Sequence, residues 1–140
     1  MLEKIIKQLV QSKATITKRT RKVPADSYPK LRTEFSVEVK EYQVCLEQEA
    51  RGLYKQGGDL SDVERGTNYT YRIKVIHKEE EIFSKKIGEL ETQESTFEIP
   101  AREIPIKEVG RGHKLFERIS KSYNTQEVTR KKELLKDLVN

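Results

Sequence analysis

The sequence predicts an α+β domain with an N-terminal helix, an antiparallel sheet of four or five strands and two C-terminal helices. Apolar residues follow helical spacing at both ends of the chain and alternate with a period of two between them. A β-sandwich-like domain with helical extensions is the alternative. The 140 residues suit a single domain spanning 1–140.

The composition limits the classes of protein to which the chain can belong. Apolar residues make up 34% and charged residues 36% of the chain, so the core is expected to be thin. The longest apolar run, Val44-Cys45-Leu46, is too short to cross a membrane, and residues 1–12 lack a secretory signal pattern. One cysteine and two distant histidines offer neither a disulfide nor a zinc site. We therefore expect a cytoplasmic protein with no cofactor, no metal and no membrane partner.

The first two elements are predicted from residues 2–22. Apolar residues at i, i+3, i+4, i+7 and i+8 predict a helix over 2–12, with Leu2, Ile5, Ile6, Leu9 and Val10 on one face. The segment from Ala14 to Lys22 alternates threonines with basic residues and predicts an exposed strand. Pro24 and Pro29 then interrupt the chain.

The central pattern changes its parity once. Apolar residues alternate as far as Val39 and then shift by one position from Tyr42 onward. A β-bulge near Lys40-Glu41 would explain the shift within one strand. A strand ending at Val39 and a helix over 41–54 are the alternative.

The next strands are predicted from Asn68 to Ile87. Alternation over Asn68–His77 directs Tyr69, Tyr71, Ile73 and Val75 to one face. A polar connection leads to a returning strand over 81–87, and a shorter strand near 97–99 precedes Pro100. Pro105 confines any later strand to a sheet edge.

The tail returns to helical spacing. A helix over 113–123 carries Leu115, Phe116, Ile119 and Tyr123 on one face. Asn124 with Glu127 has capping-box spacing, which predicts a second helix over 124–140. Its apolar stripe is interrupted by Lys131 and Lys132, so this helix is either peripheral or completes a seam against another chain. With the stripe of residues 2–12, it favours a homo-oligomer.

Positive charge is concentrated in residues 13–32, the basic arm. This segment has seven basic residues and one acid, a net charge of +6 within a chain of net +5. Basic side chains neutralise phosphates, and an adjacent aromatic ring can stack on an unpaired base. The candidate nucleic-acid-binding residues are Lys18, Arg19, Arg21, Lys22, Tyr28, Lys30 and Arg32. A solvated surface or an acidic protein partner is the alternative interpretation.

Two further segments carry weaker chemical signals. Gly110, Arg111, Gly112 and Lys114 precede a helix, where converging N–H groups could bind an anion. A plain strand-to-helix turn is the alternative. The pattern Glu38-Val39-Lys40, with Asp26 upstream, invites comparison with metal-dependent nucleases that use an acid and a lysine on one strand.

The sequence therefore predicts a nucleic-acid-binding accessory protein that contacts phosphates through the basic arm and performs no catalysis. The alternatives are a protein–protein interaction or assembly module and a small metal-dependent nuclease. No nucleophile site is apparent, because Cys45 lies in an apolar run and His113 with Glu117 has the spacing of a surface pair.

Overall fold

The fold is seen in a computed structural model that describes residues 4, 5, 7, 14–23, 30–51, 54–55, 64–65, 68–94 and 103–139. Eight strands and one helix have described bounds within these residues. They are β1 (Thr17–Val23), β2 (Lys30–Val39), β3 (Tyr42–Arg51), β4 (Tyr54–Lys55), β5 (Glu64–Arg65), β6 (Asn68–His77), β7 (Glu80–Glu94), β8 (Glu103–Gly110) and α1 (Gly112–Val139).

Six strands form one antiparallel sheet in the order β1-β2-β3-β6-β7-β8. Strands β4 and β5 pair separately as a short antiparallel ribbon. Strands β1 and β8 are therefore the two edges of the large sheet. Pro105 lies on β8, as its missing N–H requires.

The core lies between one face of the sheet, the helix face, and the first half of α1. Phe35, Leu46, Tyr71 and Ile73 are at most 1% exposed on that face. The ring of Phe116 on α1 packs 5.1 Å from that of Phe35 and 5.6 Å from that of Tyr71, measured between ring centres. Burying each such side chain contributes about 1.5–3 kcal/mol, which fixes the helix on the sheet.

The parity shift after Val39 marks a hairpin, so the predicted bulge within one strand is wrong. Strands β2 and β3 pair from Val39 opposite Tyr42, with Lys40 and Glu41 forming the turn. Lys40 has a positive φ of 58°. The alternative helix over 41–54 is also wrong, since 42–51 is strand. A lysine rather than a glycine takes the left-handed position, so the usual sequence signal of a two-residue turn is missing.

The β6–β7 hairpin follows the prediction more closely. β6 has the predicted bounds, and its residues Tyr69, Tyr71, Ile73 and Val75 are buried. Lys78 and Glu79 both have positive φ and close the turn. β7 is longer than predicted, because it pairs with β6 over residues 80–91 and with β8 over residues 88–94, with a bulge or irregularity in each pairing.

The predicted arrangement of helices is wrong at the C-terminal side. The described residues contain one continuous helix of 28 residues there, not two, and Asn124 is an exposed position within it. Thr125 hydroxyl donates to the Lys121 carbonyl at 3.0 Å, a bond that is made inside a helix and not at its start. The capping-box spacing therefore coincides with a helix interior.

The sheet also differs from the prediction. The large sheet has six strands instead of four or five, and the β-sandwich alternative is wrong because the described strands do not form two packed sheets. Of residues 2–12 only Lys4, Ile5 and Lys7 are described, and these three have helical conformation. The rest of that predicted helix lies outside the described residues. The strand predicted near 97–99 also lies outside them.

Candidate functional site

Four residues of the basic arm lie on the edge strand β1 with exposed side chains: Lys18, Arg19, Arg21 and Lys22. Strand alternation directs Lys18 and Lys22 toward the helix face and the two arginines toward the opposite face, here called the polar face. The ammonium group of Lys18 lies 5.8 Å from the ring centre of Phe35, at the margin of the core. The edge therefore presents cations on both faces of the sheet.

The other two described cations of the arm, Lys30 and Arg32, form ion pairs on the polar face. Arg32 Nε lies 3.2 Å from a Glu47 oxygen, and its Nη2 donates to Glu49 at 3.1 Å. Lys30 Nζ lies 3.4 Å from Glu49. Burial alone would raise the pKa of Glu49, but hydrogen bonds from Arg32 and Lys30 bring that pKa below its ordinary value. These two cations thus neutralise the sheet's own carboxylates.

Glu47 extends this network to the neighbouring strand. It is only 4% exposed, and Lys74 Nζ on β6 lies 2.7 Å from its second oxygen. A buried carboxylate without cations would cost several kcal/mol, so Arg32 and Lys74 are required by the fold. Tyr28, the remaining candidate of the arm, lies outside the described residues.

The glycine segment before α1 has a packing role. A Cβ on Gly112 would lie 2.5 Å from the Cβ of Tyr71, and a Cβ on Gly110 would lie 2.4 Å from the Ile87 carbonyl oxygen. Gly110 also has a φ of +72°. Close approach of α1 to β6 and β7, and of β8 to β7, thus accounts for both glycines. Arg111 and Lys114 are exposed beside them, and anion binding there stays a prediction.

A series of side-chain hydrogen bonds, which the sequence pattern did not predict, links β3, β6 and the start of α1 at the margin of the core. Gln48 Nε2 donates to the Tyr71 hydroxyl at 3.0 Å, which lies 3.2 Å from His113 Nδ1. His113 Nε2 lies 3.3 Å from Glu117, confirming that expected pair. Tyr71 is 0% exposed, so no substrate can reach its hydroxyl. These hydrogen bonds orient the start of α1 on the sheet.

The residues that suggested a nuclease do not form a metal site in the described part of the chain. Glu38 is exposed, Lys40 lies in the hairpin turn and Asp26 lies outside the described residues. The described residues include no group of three histidine, cysteine or acidic side chains that could hold a metal. Cys45 is fully buried, and burial, with Glu34 nearby, raises its pKa to about 12. Its thiol is therefore inert at neutral pH.

A cleft of about 440 Å³ lies on the polar face between β3, β6, β7 and β8. Its cations are Arg51, Arg72, Lys86 and Lys107. Lys86 forms an ion pair with Glu89, and Arg72 donates to the Ser84 hydroxyl at 3.1 Å. Arg51 Nη2 also lies 3.5 Å from a Glu49 oxygen, so two of the four cations in the cleft have carboxylate partners within the protein.

The least covered surface of the described residues is the second half of α1. Gln126 is the last residue of α1 with a described bond to another part of the fold: its Oε1 accepts from the Ile16 amide at 2.8 Å, and its Nε2 donates to the Ala14 carbonyl at 3.2 Å. Beyond it, residues 128–139 are exposed. We call residues 127–139 the projecting half of α1; it is about 20 Å long.

The projecting half carries large apolar side chains in solvent. The exposed fractions are 53% for Val128, 54% for Leu134, 59% for Leu135, 82% for Leu138 and 83% for Val139. A shallow open groove of about 400 Å³ is lined by Lys132, Leu135, Lys136 and Val139. Soluble proteins seldom leave such a group uncovered unless it binds something.

Comparisons with protein-family models, curated proteins and solved structures found no match to this chain. Within the described residues, no helix is both long and apolar enough to span a membrane. The surfaces that remain as candidates are the projecting half of α1 and the basic edge β1.

Proposed function

We propose that the protein is a non-catalytic interaction module that offers the projecting half of α1 to another protein chain. The observation that carries this proposal is the exposure of five large apolar side chains beyond Gln126. Burying a leucine or valine is worth about 1.5–3 kcal/mol, so a partner that covers this surface gains binding energy.

The first half of α1 makes this surface available at a defined place. Leu115, Phe116 and Ile119 are buried on the sheet, and Gln126 ties the helix to the segment before β1. A helix of about 13 residues is marginal in isolation, but here it extends a helix that is already nucleated and packed. A partner therefore meets a docking element that the sheet has already oriented.

Site-specific photo-crosslinking tests the proposal in living cells. A photoreactive amino acid at position 135 is expected to give discrete protein adducts, because this side chain is 59% exposed on the projecting half. The matched control places the same group at position 114, an exposed site on the packed half. Equal adducts from both positions, or none from position 135, would contradict the proposal.

A second copy of this chain is one occupant to be tested, and the homo-oligomer expected from the sequence stays a prediction. Sedimentation equilibrium distinguishes a 16.4 kDa monomer from a dimer of twice that mass. A dimer that the substitution Leu135→Lys dissociates would show that the occupant is a second copy.

Nucleic-acid binding through β1 is the second candidate function. The observation that favours it is the run of exposed cations at Lys18, Arg19, Arg21 and Lys22. Cations on an edge strand also prevent pairing with other sheets, which is a purely structural reason for the same residues.

A salt titration separates these two roles. If β1 contacts phosphates, changing Arg19 and Arg21 to alanine reduces the log–log salt slope of binding by up to about 0.9 per lost contact on duplex DNA. The matched control changes Lys78 and Lys85, exposed cations elsewhere on the sheet. An equal slope in both variants would remove β1 from the interface.

A further inference from the structure

Three of the five apolar side chains of the projecting half point away from the protein's own sheet. At about 100° per residue, Val128, Leu135 and Val139 lie between about 160° and 180° around α1 from Ile119, which is buried on the sheet. Bending the projecting half toward the sheet would therefore leave this stripe in solvent. The described sheet therefore cannot cover it.

Charge is divided between the two sides of the projecting half. Glu133 and Asp137 lie within about 40° of the direction of Ile119, toward the sheet side. Lys131 and Lys132 lie about 120° and 140° from Ile119, flanking the apolar stripe. The side that faces outward is thus apolar and positively charged, while the acids lie on the other side.

Part of the outward stripe has the spacing of a helix-pairing seam. Val128 and Leu135 are seven residues apart, as at the a positions of a heptad. Leu138, about 100° from Ile119, follows at a d position and places the seam at one side of the stripe. Lys131 occupies the intervening d position. A lysine in a seam is tolerated when an acid on the facing helix neutralises it, so this residue specifies the partner's charge.

We infer that the projecting half of α1 binds an acidic amphipathic helix of a partner protein. This inference rests on the proposed function and names its partner class. The partner's apolar seam covers Val128, Leu135 and Leu138, with an acid opposite Lys131 and a second acid facing Lys132. Because the seam is only two heptads long, the complex belongs to the weak, transient class.

A second copy fits the same seam less well. In a parallel pair, Lys131 would face its own copy, and in an antiparallel pair it would face Leu135, with no acid in either arrangement. The acids Glu133 and Asp137 stay on the far side of each helix. An anionic membrane fits less well too, because the stripe is narrow and includes no aromatic residue.

The binding test uses three synthetic amphipathic peptides of 21 residues. All have leucine at the a and d positions, except at one d position. The e and g positions and that one d position carry glutamate in the first peptide, glutamine in the second and lysine in the third. Fluorescence anisotropy with the full chain measures affinity. We expect the glutamate peptide to bind about tenfold more tightly than the glutamine peptide, from two or three ion pairs, and the lysine peptide not to bind. Added salt is expected to reduce the difference.

Three variants locate the peptide on the helix. Leu135→Gln is expected to abolish binding of the glutamate peptide. The double variant Lys131→Gln, Lys132→Gln is expected to bind the glutamate peptide only as tightly as the glutamine peptide. The matched control is Glu133→Gln. Glu133 is exposed like Leu135, but it lies about 160° away around the helix, on the sheet side. Glu133→Gln is expected to bind normally.

Each contrary outcome overturns the inference in a recognisable way. If the glutamate and glutamine peptides bind equally tightly, and Leu135→Gln abolishes the binding of both, the preference for acids is disproved and the proposed function stands. A dimer that Leu135→Gln dissociates would replace the partner helix with a second copy. Binding to phosphatidylserine vesicles but to no peptide would replace it with a membrane. Absence of peptide binding together with absence of adducts from position 135 would overturn both proposals.

Discussion

The side-chain amide of Gln126 binds the backbone of the segment before β1, accepting from the Ile16 N–H at 2.8 Å. The same amide donates to the Ala14 carbonyl at 3.2 Å. Gln126 and Ile16 are 110 residues apart in the sequence, so this contact joins the C-terminal helix to the segment that precedes the first strand. It also marks the point on α1 beyond which the side chains become exposed.

Gln126→Ala is expected to lower the free energy of unfolding by about 1–3 kcal/mol, because the buried Ile16 amide loses its acceptor. Urea denaturation measures the change. The control Asn124→Ala, at an exposed position of the same helix, is expected to stay within about 0.5 kcal/mol of the wild type. Equal stability of the two variants would contradict a tethering role for Gln126.

Gly112→Ala is expected to destabilise the fold by about 1–3 kcal/mol, because the new methyl group would overlap the Cβ of Tyr71. Thermal unfolding by circular dichroism measures this effect, with Lys114→Ala as an exposed control two residues further on. A Gly112→Ala variant as stable as the wild type would show that the junction of β8 and α1 can open without cost. For the same reason, a valine at position 112 tests packing before it tests anion binding.

The Glu49 carboxylate is expected to stabilise the fold above its ordinary pKa of 4.5 and to lose this effect as the pH falls through its lowered folded-state pKa. Glu49→Gln should therefore be less stable than the wild type at pH 7. The difference should shrink progressively below about pH 4.5. Urea denaturation between pH 3 and pH 7 measures it, with exposed Glu108→Gln as the control. A constant difference across this range would contradict the ion pairs with Arg32 and Lys30.

Cys45 is expected to react with iodoacetamide only when the protein unfolds, since its side chain is fully buried and its pKa is raised to about 12. The labelling rate measured by mass spectrometry should be proportional to the small fraction of unfolded protein, because refolding is faster than alkylation. It should rise in Ile73→Ala, a core variant expected to lose about 2–5 kcal/mol. Complete labelling within seconds in native buffer would contradict the burial of the thiol.

Sequence periodicity predicted the elements that have one face on the core and the other face in polar surroundings along their length. β6 alternates between buried apolar residues and polar ones along its whole length, so its bounds and its buried face followed from the sequence. The first half of α1 was equally clear, since Leu115, Phe116 and Ile119 all meet the sheet. Pro105 placed β8 at an edge through its missing N–H alone.

The site was less predictable, because a cation's role depends on what lies opposite it. Arg19, Arg21 and Arg32 belong to one basic segment, yet Arg32 reaches a glutamate 17 residues away on β3. Strand pairing alone brings those side chains together, and no local pattern records it. The basic arm is thus divided between an exposed edge and an ion-pair network inside the sheet.

The sequence by itself determined that the chain alternates between helical and extended segments, that its charge is unevenly distributed, and that an apolar stripe exists near residues 128–139. Only the tertiary structure decided that Asn124 continues a helix and that Lys40 closes a hairpin. It also decided that Val128 faces away from the sheet on which Ile119 is buried. Local spacing fixes which side chains share a face, whereas the identity of what covers that face depends on contacts between residues far apart in the chain.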